Sequence, residues 1–132
     1  MDFREEAAAI AGELVALRRE LHRIPEIGLD LPKTQATVLA ALAGLPLEIT
    51  LGHTSTAITA VLRGGEPGPA VLLRGDMDAL PVTEENDADY VSAHVGTMHA
   101  CGHDLHTAGL VGAAKLLAAH RDELAGDVVF MF

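Results

Sequence analysis

Ala70-Val71-Leu72-Leu73-Arg74-Gly75-Asp76-Met77-Asp78 is the stretch on which the fold turns. The apolar run is too short for a helix and too continuous for a strand with one wet face, and turn residues bound it on both sides. It reads as a strand buried on both faces, typical of α/β sheets. The strand delivers two carboxylates, Asp76 and Asp78, at its carboxyl end. A long loop follows, from Ala79 to Cys101, and loops of this length inside compact domains are often functional. Its middle, Glu84-Glu85-Asn86-Asp87-Ala88-Asp89, is acidic and reads as solvated. Asp104 to His120 then fits a helix with Leu110, Val111, Ala114 and Leu117 on one face. Gly126 leads into a second buried-strand pattern, Val128-Val129-Phe130-Met131-Phe132. Strand, loop, helix, strand is a βαβ-like crossover and predicts a parallel pair.

Upstream, the period is first helical and then that of a strand. Asp2 can cap a helix, with Glu5 three residues on as in a capping box. Phe3, Ala7, Ile10, Leu14, Leu17 and Leu21 share one helical face until Pro25 and Gly28 stop it. A second helix starts near Pro32, which suits a first-turn position, and runs to Gly44. Leu47, Ile49 and Leu51 alternate with Glu48 and Thr50 as in a half-buried strand. Gly52 to Ser55 forms a turn, Thr56 to Arg63 a second strand, and the two make a hairpin-like pair. Gly64 to Pro69 is a loop. The fold class is α/β: a partial mixed sheet with flanking helices.

Composition excludes several roles. The chain has 132 residues, 49% of them hydrophobic, so a packed core is expected. Aromatics make up 3% and tryptophan is absent, which leaves no platform for stacking on bases. A net charge of -10 without a basic cluster disfavours nucleic acid and anionic lipid as partners. No apolar run approaches the ~18 residues of a membrane span. The acidic start lacks the basic region of a signal peptide. The one cysteine, Cys101, permits no internal disulfide and suits a reducing compartment. A cytoplasmic protein is the expectation.

Chemistry concentrates in Met98-His99-Ala100-Cys101-Gly102-His103-Asp104-Leu105-His106. Thiolate and neutral imidazole are preferred donors for zinc and other borderline metals. Cys101 and His103 flank one glycine, whose conformational freedom can turn both side chains toward one ion. Asp104 can cap the helix or fix an imidazole. A polar turn with an inert thiol is the competing reading. Asp76 and Asp78 follow the strand, and one of them is expected to face the site while the other takes a capping or turn role. His22, His53, His94 and His120 are scattered and read as structural or exposed. The Gly64–Gly68 loop has no lysine and precedes a strand, so it is no phosphate loop. A Cys101–His103 nucleophile–base pair is the weaker alternative.

Four stretches, in order along the chain, resemble the M20 family of metallopeptidases and amidohydrolases, in the branch that cleaves N-acyl amino acids, hippurate and indole-acetyl conjugates. They are Leu21-His22-Arg23-Ile24-Pro25-Glu26-Ile27-Gly28, Arg74 to Val82, Met98 to Thr107, and Gly126 to Phe132. The resemblance implies a zinc-exopeptidase-like catalytic domain. It also implies two divalent metal ions (zinc, manganese, cobalt or nickel) with Cys101 and His103 among their ligands, and Asp78 as the supporting acidic residue. The implied reaction is metal-dependent hydrolysis of the amide bond of a small N-acyl amino acid-type substrate. In the family the general-base glutamate, two further histidine ligands and the lid or dimerisation domain follow the strand that ends here at Phe132. Residues 1–132 are therefore expected to be the N-terminal part of that catalytic domain and inactive alone. The alternatives are a fragment with residual metal binding, a homo-oligomer formed through an open sheet edge, or a small metal carrier unrelated to hydrolysis.

Overall fold

The computed structural model describes residues 2–132. Helix α1 (Phe3–Arg23) begins where Asp2 caps it, its Oδ1 accepting from the amides of Arg4 and Glu5 at 3.1 and 3.3 Å. Glu5 and Glu6 in the first turn and His22 and Arg23 in the last complement the helix dipole. Helix α2 (Pro32–Leu42) opens on proline as expected, and the chain leaves it through Gly44 at φ 83°. Strands β1 (Leu47–Leu51), β2 (Ile58–Leu62) and β3 (Val71–Arg74) follow, then helix α3 (His103–Ala119), a 3₁₀ turn at Arg121–Glu123 and strand β4 (Val128–Met131).

The four strands form one mixed sheet in the order β1-β2-β4-β3. β1 and β2 are the expected antiparallel hairpin, from Leu47 opposite Leu62 to Leu51 opposite Ile58. β3 and β4 are the expected parallel pair, Val71 beside Val128 and Arg74 beside Met131. β4 also runs antiparallel to β2, with Phe130 opposite Ala60. The α/β class with a mixed sheet and flanking helices is thus what the chain adopts.

Two strand expectations need correction. β3 was expected to be buried on both faces, but Val71 and Leu72 are each 53% exposed. β4 takes the slot between β2 and β3, so β3 becomes an outer strand of the sheet. β1 is the other outer strand, and Ile49 and Leu51 are exposed rather than half-buried. An apolar run reports a strand but not its place in the sheet. The central strands carry the core: Ile58, Ala60 and Leu62 of β2 with Val128 and Phe130 of β4. Leu17 and Leu21 of α1, Val38 and Leu42 of α2, and Val111 and Ala114 of α3 complete it.

α1 and α3 lie against each other. A Cβ on Gly112 would come within 2.7 Å of Leu14 Cδ1, so glycine permits the close approach. Lys115 pairs with Glu13. His120 bridges Glu6 (2.7 Å) and Glu123 (2.9 Å), with the Phe3 ring edge-on to it.

Phe130 is fully buried at the centre of the sheet. Phe130→Ala should cost about 3–5 kcal/mol, by lost transfer energy and the cavity left behind, read from denaturant midpoints. A loss under about 1 kcal/mol would show that the core collapses around the gap. The bonds to Glu123 and Glu6 raise the pKa of His120 above its ordinary 6.5. A raised folded value stabilises fully below the unfolded value and is lost as pH rises through the folded one. The melting-temperature gap between the parent chain and His120→Gln should therefore be widest below 6.5 and narrow above it. A gap independent of pH would mean that the ion pairs do not contribute.

Candidate metal centre

The parallel pair brings the exit of β3 beside the start of α3. Gly75 continues the ladder by donating to the Met131 carbonyl at 3.0 Å. A Cβ there would lie 3.0 Å from the carbonyl oxygen of His106, so a glycine lets the first turn of α3 rest on the strand exit. Thr107 Oγ1 lies 3.0 Å from the Asp76 carbonyl and 2.9 Å from that of His103, tying the two segments together. Gly102 enters α3 at φ 81°, the left-handed region open to glycine.

Asp76, His103 and His106 converge: one donor atom from each lies within 4.8 Å of the others. His103 sits between both acids, with Nδ1 2.9 Å from Asp78 Oδ1 and Nε2 3.4 Å from Asp76 Oδ2. The expectation that only one acid would face the site is corrected. Residues two apart share one face of an extended chain, so Asp76 and Asp78 both turn toward α3 while Gly75, Met77 and Ala79 between and beside them are buried. Asp78 thus lies on Nδ1, and Nε2 is the ring nitrogen turned toward Asp76. His106 Nδ1 is 2.7 Å from Asp76 Oδ1, and the two imidazoles stack with centroids 5.5 Å apart. Burial pushes the Asp76 carboxyl up. The hydrogen bond from His106 and the charges of His103 and His106 outweigh it, and its pKa is lowered overall.

A carboxylate oxygen and two imidazoles suit a borderline divalent ion, and a carboxylate behind the ligating ring is the usual way to orient it. This donor set fits the metal chemistry expected from the sequence. Cys101 is exposed and is not among the converging donors, although Gly102 has the conformation expected of it. Sequence reasoning passed over His106 as a site residue. Its spacing of three from His103 at a helix start, which places both on one face, was the available signal.

Asp104 does not cap α3; the cap position is Gly102 and makes no side-chain bond. Asp104 is fully buried, with Oδ2 2.7 Å from His22 Nδ1 and 2.9 Å from Arg18 Nε. The other ring nitrogen of His22 lies 3.0 Å from Glu84 Oε2. Glu84 was expected in a solvated stretch, yet its side chain is 3% exposed and its Oε1 accepts from the Ser92 amide at 2.7 Å. Burial raises its pKa, but the bonds from Ser92, His22 and Asn86 lower it overall. Nothing in local composition distinguishes Glu84 from its acidic neighbours; the partner is 62 residues away. Neither ring nitrogen of buried His99 has a partner among the described residues, and desolvation lowers its pKa.

A cleft of about 380 Å³ opens beside Asp76 and Asp78, walled by Leu29, Leu31, Met77, Met131 and Phe132. Among the described residues no helix is long and apolar enough to cross a membrane.

The model of peptidase family M20/M25/M40 matches residues 72–132. An N-acetyl-L-cysteine deacetylase of Bacillus subtilis is 41% identical over 120 residues, covering 91% of this chain and 29% of that protein. An N-acyl-L-amino acid amidohydrolase of Geobacillus stearothermophilus is 43% identical over 121 residues, covering 91% of this chain and 32% of that one. Residues 72–132 are an M20-type segment. Its structure superposes on the YXEP protein of Bacillus subtilis, a dinuclear metal binding peptidase from the M20 family. The TM-score is 0.89 at 39% identity, over 95% of this chain and 35% of that one. The chain thus spans about a third of the length of the M20 relatives it matches.

Gly102→Ala should cost roughly 1–2 kcal/mol, because an L side chain in the left-handed region meets its own carbonyl. Its thermal unfolding should shift accordingly, and an unshifted transition would mean that the turn relaxes to another geometry at no cost.

Proposed function

We propose that this chain carries part of the site of a metal-dependent amidohydrolase acting on N-acyl amino acids or similar small amides. The observation that carries the reading is His103 pinned at Nδ1 by Asp78 with Nε2 turned toward Asp76, in a chain about 40% identical to deacetylases and amidohydrolases. His103 and Cys101 are the proposed ligands, Asp78 the residue that orients His103, and Asp76 with His106 complete the donor-rich rim. A divalent ion held there (zinc, manganese, cobalt or nickel) supplies Lewis acidity toward an acyl carbonyl. The cleft beside the acids has apolar walls that suit an acyl chain. Hippurate and related aromatic amides belong to the same substrate class. The single thiol supports a cytoplasmic setting.

No carboxylate of the described residues is placed as the base. Asp76 and Asp78 hold imidazoles, and Glu84 is bonded to His22. We therefore propose that residues 1–132 are the N-terminal part of the catalytic domain, with the base contributed by sequence the relatives carry beyond the matched third. A second reading, self-association of this chain, is favoured by the exposed Val71 and Leu72 on outer strand β3.

The test is a chimera in which this chain replaces the matching segment of the Geobacillus amidohydrolase. The chimera should hydrolyse N-acetyl amino acids with added metal, while the 132-residue chain should bind metal without turnover. In both, Cys101→Ala should weaken metal binding about 10-fold or more, as loss of a thiolate donor demands. A folded, inactive chimera, or a Cys101→Ala chain with unchanged affinity, would overturn the corresponding assignment. Sedimentation of the metal-free chain at rising concentration decides the second reading.

A further inference from the structure

We propose that His22 is a positioning residue for the metal-binding segment: its ring ties Asp104, at the start of α3, to Glu84 of the long loop, and so holds residues 98–106 in place. The inference rests on the reading of His103 and Cys101 as metal ligands, and it concerns the motif around His22 that the donor cluster leaves unused. His22 is 2% exposed. Its Nδ1 is 2.7 Å from Asp104 Oδ2, and its Nε2 is 3.0 and 3.2 Å from the two oxygens of Glu84. Each ring nitrogen faces a carboxylate, so the ring is held at both ends.

Each partner leads toward the ligands. Asp104 follows His103 directly, has no exposure, and is also held by Arg18. Glu84 binds the Ser92 amide, which secures the loop at two points. The end of α1 grips the same loop through backbone: the Ala93 amide donates to the Arg23 carbonyl at 3.0 Å, and the Ala79 amide to the Glu26 carbonyl at 2.7 Å. Leu80 and Met98 pair as an isolated bridge at the loop's neck. Cys101 and His103 lie on the short span between this neck and Asp104. Without His22 the buried carboxylate at 104 keeps Arg18 alone as a charged partner, and breaking one of two buried pairs there would loosen the first turn of α3.

Two substitutions separate the halves of the tie. Asn at 22 presents an N–H near the place of Nδ1 and keeps the bond to Asp104. Gln reaches toward the place of Nε2 and keeps the bond to Glu84. Cobalt(II) titration of the 132-residue chain is the first measurement. Each variant breaks one half of the tie, so both should bind more weakly than the parent, by about 10-fold or more. Melting temperatures of the metal-free chains control for folding. Equal affinities in all three chains, or losses that only follow melting temperature, overturn the proposal. The second measurement, amide exchange at Met98 and Ala100 without metal, needs no ion. Faster exchange in both variants than in the parent supports the tie, and exchange equal to the parent's overturns it. If the parent chain binds no cobalt(II), the metal reading above fails, and the exchange result alone decides whether His22 positions the segment.

Discussion

β4 is the element on which the rest of the molecule is registered. It is parallel to β3, so α3 must cross from the end of β3 back over the sheet, and it is antiparallel to β2, which joins the N-terminal hairpin to the crossover unit. With Phe130 fully buried at its centre, a slip of one residue would turn the core face to solvent. The same constraint builds the site. In a parallel pair joined by a helix, the carboxyl end of the first strand and the amino end of the helix meet at one edge of the sheet. Asp76 and Asp78 leave β3 there, and His103 and His106 enter α3 there.

Close backbone approach turns that meeting into a donor cluster. Glycine at 75 allows the first turn of α3 to lie on the strand exit, and Thr107 fastens the two segments. The acids then have imidazoles as immediate partners. Electrostatics favours the arrangement in a chain of net charge -10, because each carboxylate is matched by a group that donates to it. Asp76 illustrates the balance, since partial burial alone would favour its neutral form and two nearby histidines reverse that preference.

Much of this was legible in the sequence. Helical period and caps placed α1 and α2, turn residues bounded the strands, and the order strand–loop–helix–strand predicted the parallel pair. The Cys/His-rich run before α3 and the acids after β3 are segments that the fold brings together, His103 Nδ1 lying 2.9 Å from Asp78 Oδ1, while Cys101 stays outside the converging donors. What sequence could not show was long-range. The position of β3 at the outside of the sheet depends on β4, which lies more than 50 residues later. Asp76 and Asp78, two residues apart, share one face of the strand exit, and the histidine that meets them comes from the start of α3, 25 residues after Asp78. Glu84 sits in a run of acids that composition marks as solvated, and only the fold sets it against His22.

His103 and Asp104 show why the donor cluster and the buried network cannot be separated. Successive residues of a helix point about 100° apart. His103 therefore turns toward the exit of β3 while Asp104 turns toward α1, and one helical turn joins two carboxylate–imidazole pairs, Asp78 with His103 and Asp104 with His22. The first pair is partly open to solvent. The second is sealed, as a group that must hold a fixed direction requires. A rigid buried pair beside an accessible one is the arrangement by which a short polar turn keeps its geometry in the absence of extensive packing. Because α1 supplies His22 and Arg18, the N-terminal helix is part of the frame of the donor cluster and more than a cover for the sheet.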